Sequence, residues 1–245
     1  MAPKTALILG GSGGIGSALS RHLLASGTQV GVVCRHPEKL TSLNQEFPGL
    51  KIFTGDLLEQ TQVEEVVGRA RATLGTIEAM AYCVGSILLR PAHLTSVEQF
   101  QQTLLVNLVG AFLALRTVAP LMAEQGGGSI LFFSSAAAGV GLPNHEAIAA
   151  AKGGLEGMMR AAAMTYAKKH VRVNCIAPGL VDTPLSAQIT QNPSALQASI
   201  GYHPLGRIGQ PKDLVEAASW ILGPESEWMT GAVLCVDGGM RAGRL

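Results

Sequence analysis

The chain has 245 residues, of which 47% are apolar and only 4% aromatic, and its formal net charge is +1. One α/β domain can reach this length, and a core so poor in aromatics is built from Ala, Val, Leu and Ile, which suits parallel strands buried on both faces. Near-neutral charge without a basic block excludes the clustered Lys and Arg that meet nucleic-acid phosphates.

The opening segment runs directly into glycines and lacks the cleavage pattern of a signal peptide. Residues 5–9 form an apolar strand pattern, followed by glycines and a helix over 15–26. A second strand is expected at 29–34, a short helix at 39–46, a third strand at 51–54 and an amphipathic helix at 58–74, with Val63, Val66, Val67 and Ala70 on one face. A fourth strand at 79–84 leads into one long helix at 97–122, and a fifth strand at 129–134 into another at 147–169. The sixth strand is expected at 171–176, a helix at 213–222 and the last strand at 232–236. The segment 183–209 breaks this rhythm and is expected to be irregular, the lid of a substrate pocket. Alternation of β and α over the whole length predicts a single domain, 1–245: a doubly wound parallel sheet of about seven strands with helices on both faces.

The apolar run 104–115 is interrupted by Asn107 and Gly110, and it is too short to span a bilayer. Cys34, Cys83, Cys175 and Cys235 lie in or beside apolar runs with no paired spacing, the pattern of buried, reduced thiols without a disulfide or metal. A soluble cytoplasmic protein with no membrane and no nucleic-acid partner is expected.

Chemistry enters at Gly10-Gly11-Ser12-Gly13-Gly14-Ile15-Gly16. Between a strand and a helix, glycines permit a sharp turn, close backbone approach to a pyrophosphate and tight helix–strand packing. The helix N-terminus then offers free N–H groups to the phosphates. The second strand ends Val33-Cys34-Arg35 without the acid that would bond a ribose 2′-hydroxyl. Arg35 is placed to meet a 2′-phosphate, which makes NADP(H) the expected cofactor. Asp56 is either a contact for the adenine amino group or a turn cap.

These residues, and those that follow, resemble the short-chain dehydrogenase/reductase family over nearly the full length, which implies a Rossmann fold and oxidoreductase activity. Gly10, Gly14, Ile15 and Gly16 look like its phosphate motif, Asp56-Leu57 its adenine contact, and Gly85 the ribose approach. By the same resemblance Asn107 supports a proton relay, Ser135 binds the reacting oxygen and Lys152 holds the nicotinamide ribose. The loop Pro178-Gly179-Leu180-Val181-Asp182-Thr183 holds the carboxamide, with Pro178, Gly179, Val181 and Thr183 as contacts. The fourth strand ends Tyr82-Cys83-Val84-Gly85 where the family has Asn-Asn-Ala-Gly.

A larger departure follows. The resemblance implies a Tyr four residues before Lys152 and thirteen after Ser135, and both counts reach Ile148. A general acid contributes typically 10²–10⁴-fold, and isoleucine holds no proton. His145, one helical turn earlier on the same face, is the expected replacement, with Glu146 as a neighbour that could orient it; a helix-entry residue without chemistry is the other reading. Tyr202 and His203 of the lid are further candidates. Three functions are therefore weighed: an NADP(H)-dependent carbonyl/alcohol oxidoreductase, a C=C reductase of the enoyl type, and an NADP(H)-binding partner subunit without chemistry. A small-molecule substrate, medium-sized and uncharged, suits the apolar lid. Small residues on nearly every face of the 147–169 helix, with the apolar 97–122 helix, suit helix-on-helix contact between copies, and the resemblance implies a dimer or tetramer.

Overall fold

The computed structural model describes residues 2–243; the two ends of the expected 1–245 domain, Met1 and the last residues 244–245, lie outside them. Seven parallel strands make one sheet: β1 (Thr5–Leu9), β2 (Gln29–Cys34), β3 (Lys51–Thr54), β4 (Ala79–Tyr82), β5 (Gly128–Phe133), β6 (Val171–Pro178) and β7 (Val233–Val236), in the order β3-β2-β1-β4-β5-β6-β7. The helices are α1 (Gly14–Ala25), α2 (Thr41–Glu46), α3 (Gln60–Leu74), α4 (Val97–Leu104), α5 (Gly110–Glu124), α6 (Glu146–Tyr166), α7 (Ala187–Thr190), α8 (Pro193–Gly201) and α9 (Lys212–Leu222). This is the expected single-domain Rossmann fold.

Strands β1 and β4 are fully buried along their length, because both faces are covered. On one face Leu7, Leu9, Met80 and Phe132 pack with Val66 and Ala70 of α3 and with α5 and α6. On the other, Ala6, Ile8, Ala79 and Leu131 pack with Leu19 and Leu23 of α1 and with Leu214 and Ile221 of α9. Chain order reverses between β1 and β4. The crevice beyond their carboxyl ends is where a doubly wound sheet takes a ligand.

Several elements differ from expectation. The long helix runs from Val97 to Glu124, but Leu105–Val109 form a π-helical turn inside it. By length and composition alone it is long and apolar enough to cross a membrane, its most apolar 18-residue stretch having a mean hydropathy of 1.8, because the run 104–115 continues into a longer helix than expected. Its Ala111, Leu115, Val118 and Met122 are buried in the domain. Strand β4 stops at Tyr82 rather than at residue 84, and β6 continues to Pro178, paired with Val236, rather than ending at 176. The lid is not irregular: Asn192 accepts from the N–H groups of Ser194 and Ala195 and Pro193 opens α8, a cap signal sufficient for a helix. All four thiols are free, as expected, but Cys235 is exposed, since the edge strand β7 is only partly covered.

Candidate active site

The phosphate turn follows from backbone geometry. Gly10 sits at φ +85°, the left-handed region that glycine tolerates. Its N–H donates to the Val33 carbonyl at 2.8 Å, tying the turn to the end of β2. A Cβ on Gly16 would lie 2.5 Å from the Gly10 carbonyl oxygen, so α1 could not start there with any other residue. Helix α1 has no capping side chain and no acid in its first turn, and its N-cap Gly13 is exposed. A helix end with uncapped N–H groups lacks a partner of its own, and here it faces the crevice. Ser12 hydrogen-bonds the Cys34 thiol, whose pKa burial pushes up. Arg35 is exposed beside this turn and makes no ion pair among the described residues. Asp56 caps a turn through Oδ1, which accepts from the Leu58 N–H at 3.0 Å, while Leu57 is buried.

The centre is built on the π-turn. Asn107 is fully buried there. Its Nδ2 donates to Ser86 Oγ at 2.8 Å and to the Thr103 carbonyl at 3.0 Å, and its Oδ1 accepts from the Ser86 N–H at 3.1 Å. The turn also exposes the Val106 carbonyl to Tyr82, whose hydroxyl donates to it at 3.3 Å. A Cβ on Gly110 would lie 2.2 Å from that hydroxyl, so Gly110 makes the room. π-Turns of this kind are frequent at functional sites. Lys152, on the buried face of α6, donates from Nζ to the Phe133 carbonyl at 2.8 Å. Burial disfavours its ammonium and lowers its pKa to about 8. The neighbouring Cys83 and Cys175 thiols are pushed up to about 12 by the same burial. Gly85 brings Asn107 and Lys152 together: its Cβ position is 3.1 Å from Asn107 Oδ1 and 3.8 Å from Lys152 Nζ.

Beside this centre lies a cavity open to solvent on one side, lined by Ser135, His145, Ile148, Tyr202, His203 and apolar side chains. Ser135 follows β5, its Oγ accepting from the Ala137 N–H at 3.2 Å. The Asn144 turn, at φ +66°, delivers His145 to the N-cap of α6. Its ring Nδ1 is 2.7 Å from the Pro143 carbonyl, which fixes the neutral ring's proton on Nδ1 and leaves Nε2 as the nitrogen with a free lone pair. Glu146 does not orient the ring; its Oε1 accepts from the Ala92 N–H. Pro178, Gly179 and Leu180 line the same cavity. Val181 is buried and bridges to Gly209, and Thr183 lies over the phosphate turn, its Cγ2 2.6 Å from a Cβ position on Gly14.

The structure thus gathers Ser135, His145, Ile148, Pro178 and Gly179 around one cavity, with Asn107, Gly85 and Lys152 beside it and the glycine turn across the crevice. Four participants were not foreseen. Ser86 grips Asn107 from both sides, Ile87 and Leu89 line the cavity, and Met240 reaches it from beyond the last strand. Only the position of Ser86 directly after Gly85 carried a signal.

A family model described as enoyl-(acyl carrier protein) reductase matches residues 10–241. The 2,5-dichloro-2,5-cyclohexadiene-1,4-diol dehydrogenase of Sphingobium indicum is 33% identical, covering 98% of this chain and 97% of that protein. The cis-4-hydroxycyclohexanecarboxylate dehydrogenase of Sinomonas cyclohexanicum is 29% identical over 98% of both chains. A solved short-chain type dehydrogenase/reductase from Mycobacterium ulcerans superposes with a TM-score of 0.91 at 30% identity, covering 100% of this chain and 92% of that one. The chain belongs to the short-chain dehydrogenase/reductase family.

As a short-chain dehydrogenase/reductase the chain is an oxidoreductase that uses a nicotinamide cofactor. The residues present fit that group. The uncapped start of α1 and the open Gly13, whose Cβ position meets nothing nearer than 3.4 Å, would hold the pyrophosphate. Lys152 and Gly85 would face the nicotinamide ribose, and the loop from Pro178 to Thr183 would hold the carboxamide.

Proposed function

We propose that this short-chain dehydrogenase/reductase is NADP(H)-dependent and interconverts a secondary alcohol and a ketone, with His145 in the place of the absent Tyr. One observation carries the reading: His145 and Ser135 line the same cavity as Ile148, and His145 keeps Nε2 available. Arg35, exposed at the end of β2 and without an ion pair among the described residues, supports a 2′-phosphate rather than a bare ribose. Among the described residues no Lys, Arg, Asp or Glu lines the cavity, which supports an uncharged substrate. Two relatives are named for alcohols on six-membered carbon rings, and a cyclic ketone or alcohol of that size is the proposed substrate class.

Bound NADPH supplies the hydride. Ser135 Oγ holds the substrate oxygen, and His145, once its Nε2 has taken up a second proton from solvent, passes that proton to the oxygen as hydride reaches the carbon. The Pro143 carbonyl, accepting from Nδ1, stabilises the ring while it carries both protons. Lys152 would hold the ribose hydroxyls of the bound cofactor with its ammonium. In the reverse direction the same nitrogen takes the proton.

The protein is further proposed to be cytoplasmic and to work as a homodimer or homotetramer. Phe100, Val109 and Phe112 along α4–α5 and Met164 on α6 are exposed apolar side chains of the kind a second copy covers.

The test is NADPH oxidation on a panel of cyclic ketones and the matching enones. Ketone turnover lost in His145→Ala, with NADPH binding retained by fluorescence titration, supports the reading; unchanged turnover in that variant sinks it. Turnover of enones alone assigns a C=C reductase instead.

A further inference from the structure

Two cavities lie on either side of one buried ring. The substrate cavity is one; the other lies behind the lid against α9 and is lined by Val181, Leu205, Leu214 and Val236 among others. Gly179, Leu180 and His203 line both. The charged pair in the second cavity satisfies itself, since Arg207 donates to both Asp213 oxygens at 2.7 and 3.0 Å. Asp237, also in the lining, spends its carboxylate on the N–H groups of Gly239 and Arg241, so what that space offers a ligand is mainly apolar wall.

His203 is only 3% exposed, although it sits at the end of a lid. Its Nε2 accepts from the Leu180 N–H at 3.1 Å, and its Nδ1 donates to the Ser199 carbonyl at 2.7 Å. Both nitrogens are committed in the neutral tautomer, so the ring has no proton to offer a substrate. The backbone around it is shaped to admit it: a Cβ on Gly179 would lie 2.4 Å from Nε2, and one on Gly238 3.3 Å from Cδ2. The ring thus joins three segments, the end of α8, the loop after β6 and the turn after β7.

We propose that His203 is a specificity-determining partition: its locked ring closes the substrate cavity against the second one and so sets the upper length of an uncharged alkyl substituent on the substrate. The proposal rests on the reading of the chain as a ketone/alcohol oxidoreductase. Removing the ring joins the two cavities, whereas a side chain of similar bulk that still accepts from Leu180 keeps them apart.

The experiment compares kcat/KM for 4-butylcyclohexanone and cyclohexanone with NADPH. His203→Ala is expected to raise that ratio by about tenfold or more, the discrimination a few methylenes carry in an apolar pocket. His203→Gln is expected to keep the wild-type ratio. An unchanged ratio in folded His203→Ala, or an equal rise in His203→Gln, overturns the proposal. A loss of packing alone would lower turnover of both ketones without moving their ratio. Crystals of His203→Ala under xenon pressure give a reading that needs no turnover: xenon across the vacated position supports the partition, and two separate xenon sites with a collapsed wall overturn it. If the wild-type chain reduces no ketone, the functional reading fails while the xenon result still decides the partition. If His203→Ala does not fold, His203→Ser is measured in the same way.

Discussion

Lys152 Nζ donates to the carbonyl oxygen of Phe133, two residues before Ser135, at 2.8 Å. The bond fixes the ammonium at the point where β5 hands over to the substrate cavity. Burial makes the charge costly there, so the pKa falls to about 8 from 10.5. Between these values the unfolded chain binds a proton that the folded chain has released. Stability from this group therefore rises with pH across that window and is lower below pH 8. Cys83 and Cys175 act oppositely above pH 9, because their folded pKa values are raised to about 12. Comparing variants removes their contribution. The gain in melting temperature of Lys152→Met over wild type, measured without cofactor, is expected to be largest below pH 8 and to shrink towards pH 10.5; a gap independent of pH contradicts the burial argument. NADP(H) affinity is expected to move the other way and weaken above pH 8, as the ammonium is lost.

Arg35 stands exposed at the end of β2 with no acid beside it in the chain. If it meets a 2′-phosphate, Arg35→Ser removes a charge-assisted hydrogen bond, and NADPH affinity falls by about tenfold or more while NADH affinity holds. Arg35→Asp is expected to favour NADH. Fluorescence titration with both cofactors checks this, and equal losses for both would assign Arg35 to the solvated surface.

Two glycines of one turn separate folding from binding. A Cβ on Gly16 meets the Gly10 carbonyl oxygen at 2.5 Å and its α carbon neighbour Gly11 at 2.8 Å, all backbone. Gly16→Ala must shift the start of α1, and both melting temperature and cofactor affinity are expected to fall. At Gly13 the nearest atom is 3.4 Å away and φ is −79°. Gly13→Ala is expected to melt like wild type and to lose affinity for the cofactor only, because the methyl occupies the phosphate approach. Circular dichroism melts beside titrations distinguish the two.

The strand–turn–helix grammar made most of the fold legible. Residues 5–9, 29–34 and 51–54 are strands at the expected bounds, because short β-rich runs between glycines and polar turns leave little choice. The π-turn at Asn107 was not legible, since one extra residue per turn leaves the apolar period almost unchanged. Tyr82 explains it afterwards: its hydroxyl takes up the Val106 carbonyl, a polar contact in place of the expected Asn scaffold. The candidate positions Asn107, Ser135 and Lys152 came from the family resemblance, and the geometry added what a motif cannot: which nitrogen of His145 is committed, that Glu146 turns away, and that His203 is locked. Met240 escaped because nothing in a tail sequence reports that it folds back over a cavity.

Directly beneath Ser135 lies a buried carboxylate whose removal gives a further test. Ser134 Oγ donates to Glu156 Oε1 at 2.8 Å, with Arg160 3.8 Å from Oε2 and Arg241 4.0 Å from Oε1. Among the described residues Arg241 Nη1 is buried without a hydrogen-bond partner, and Glu156 is the carboxylate that faces its charge. Both arginines are partly exposed, which reduces the ion-pair contribution. Glu156→Leu strands the Ser134 hydroxyl and the Arg241 guanidinium together and is expected to cost about 1–3 kcal/mol, roughly 2–12 °C in melting temperature for a chain of this size. Glu156→Gln keeps an acceptor for Ser134 and is expected to cost less. Since Arg241 suffers only through Glu156, the double variant Glu156→Leu with Arg241→Met is expected to melt above Glu156→Leu alone. Strictly additive losses in that double-mutant cycle would mean that the two side chains are energetically independent and that the tail is held by Asp237 and its backbone contacts to residues 239 and 241 instead.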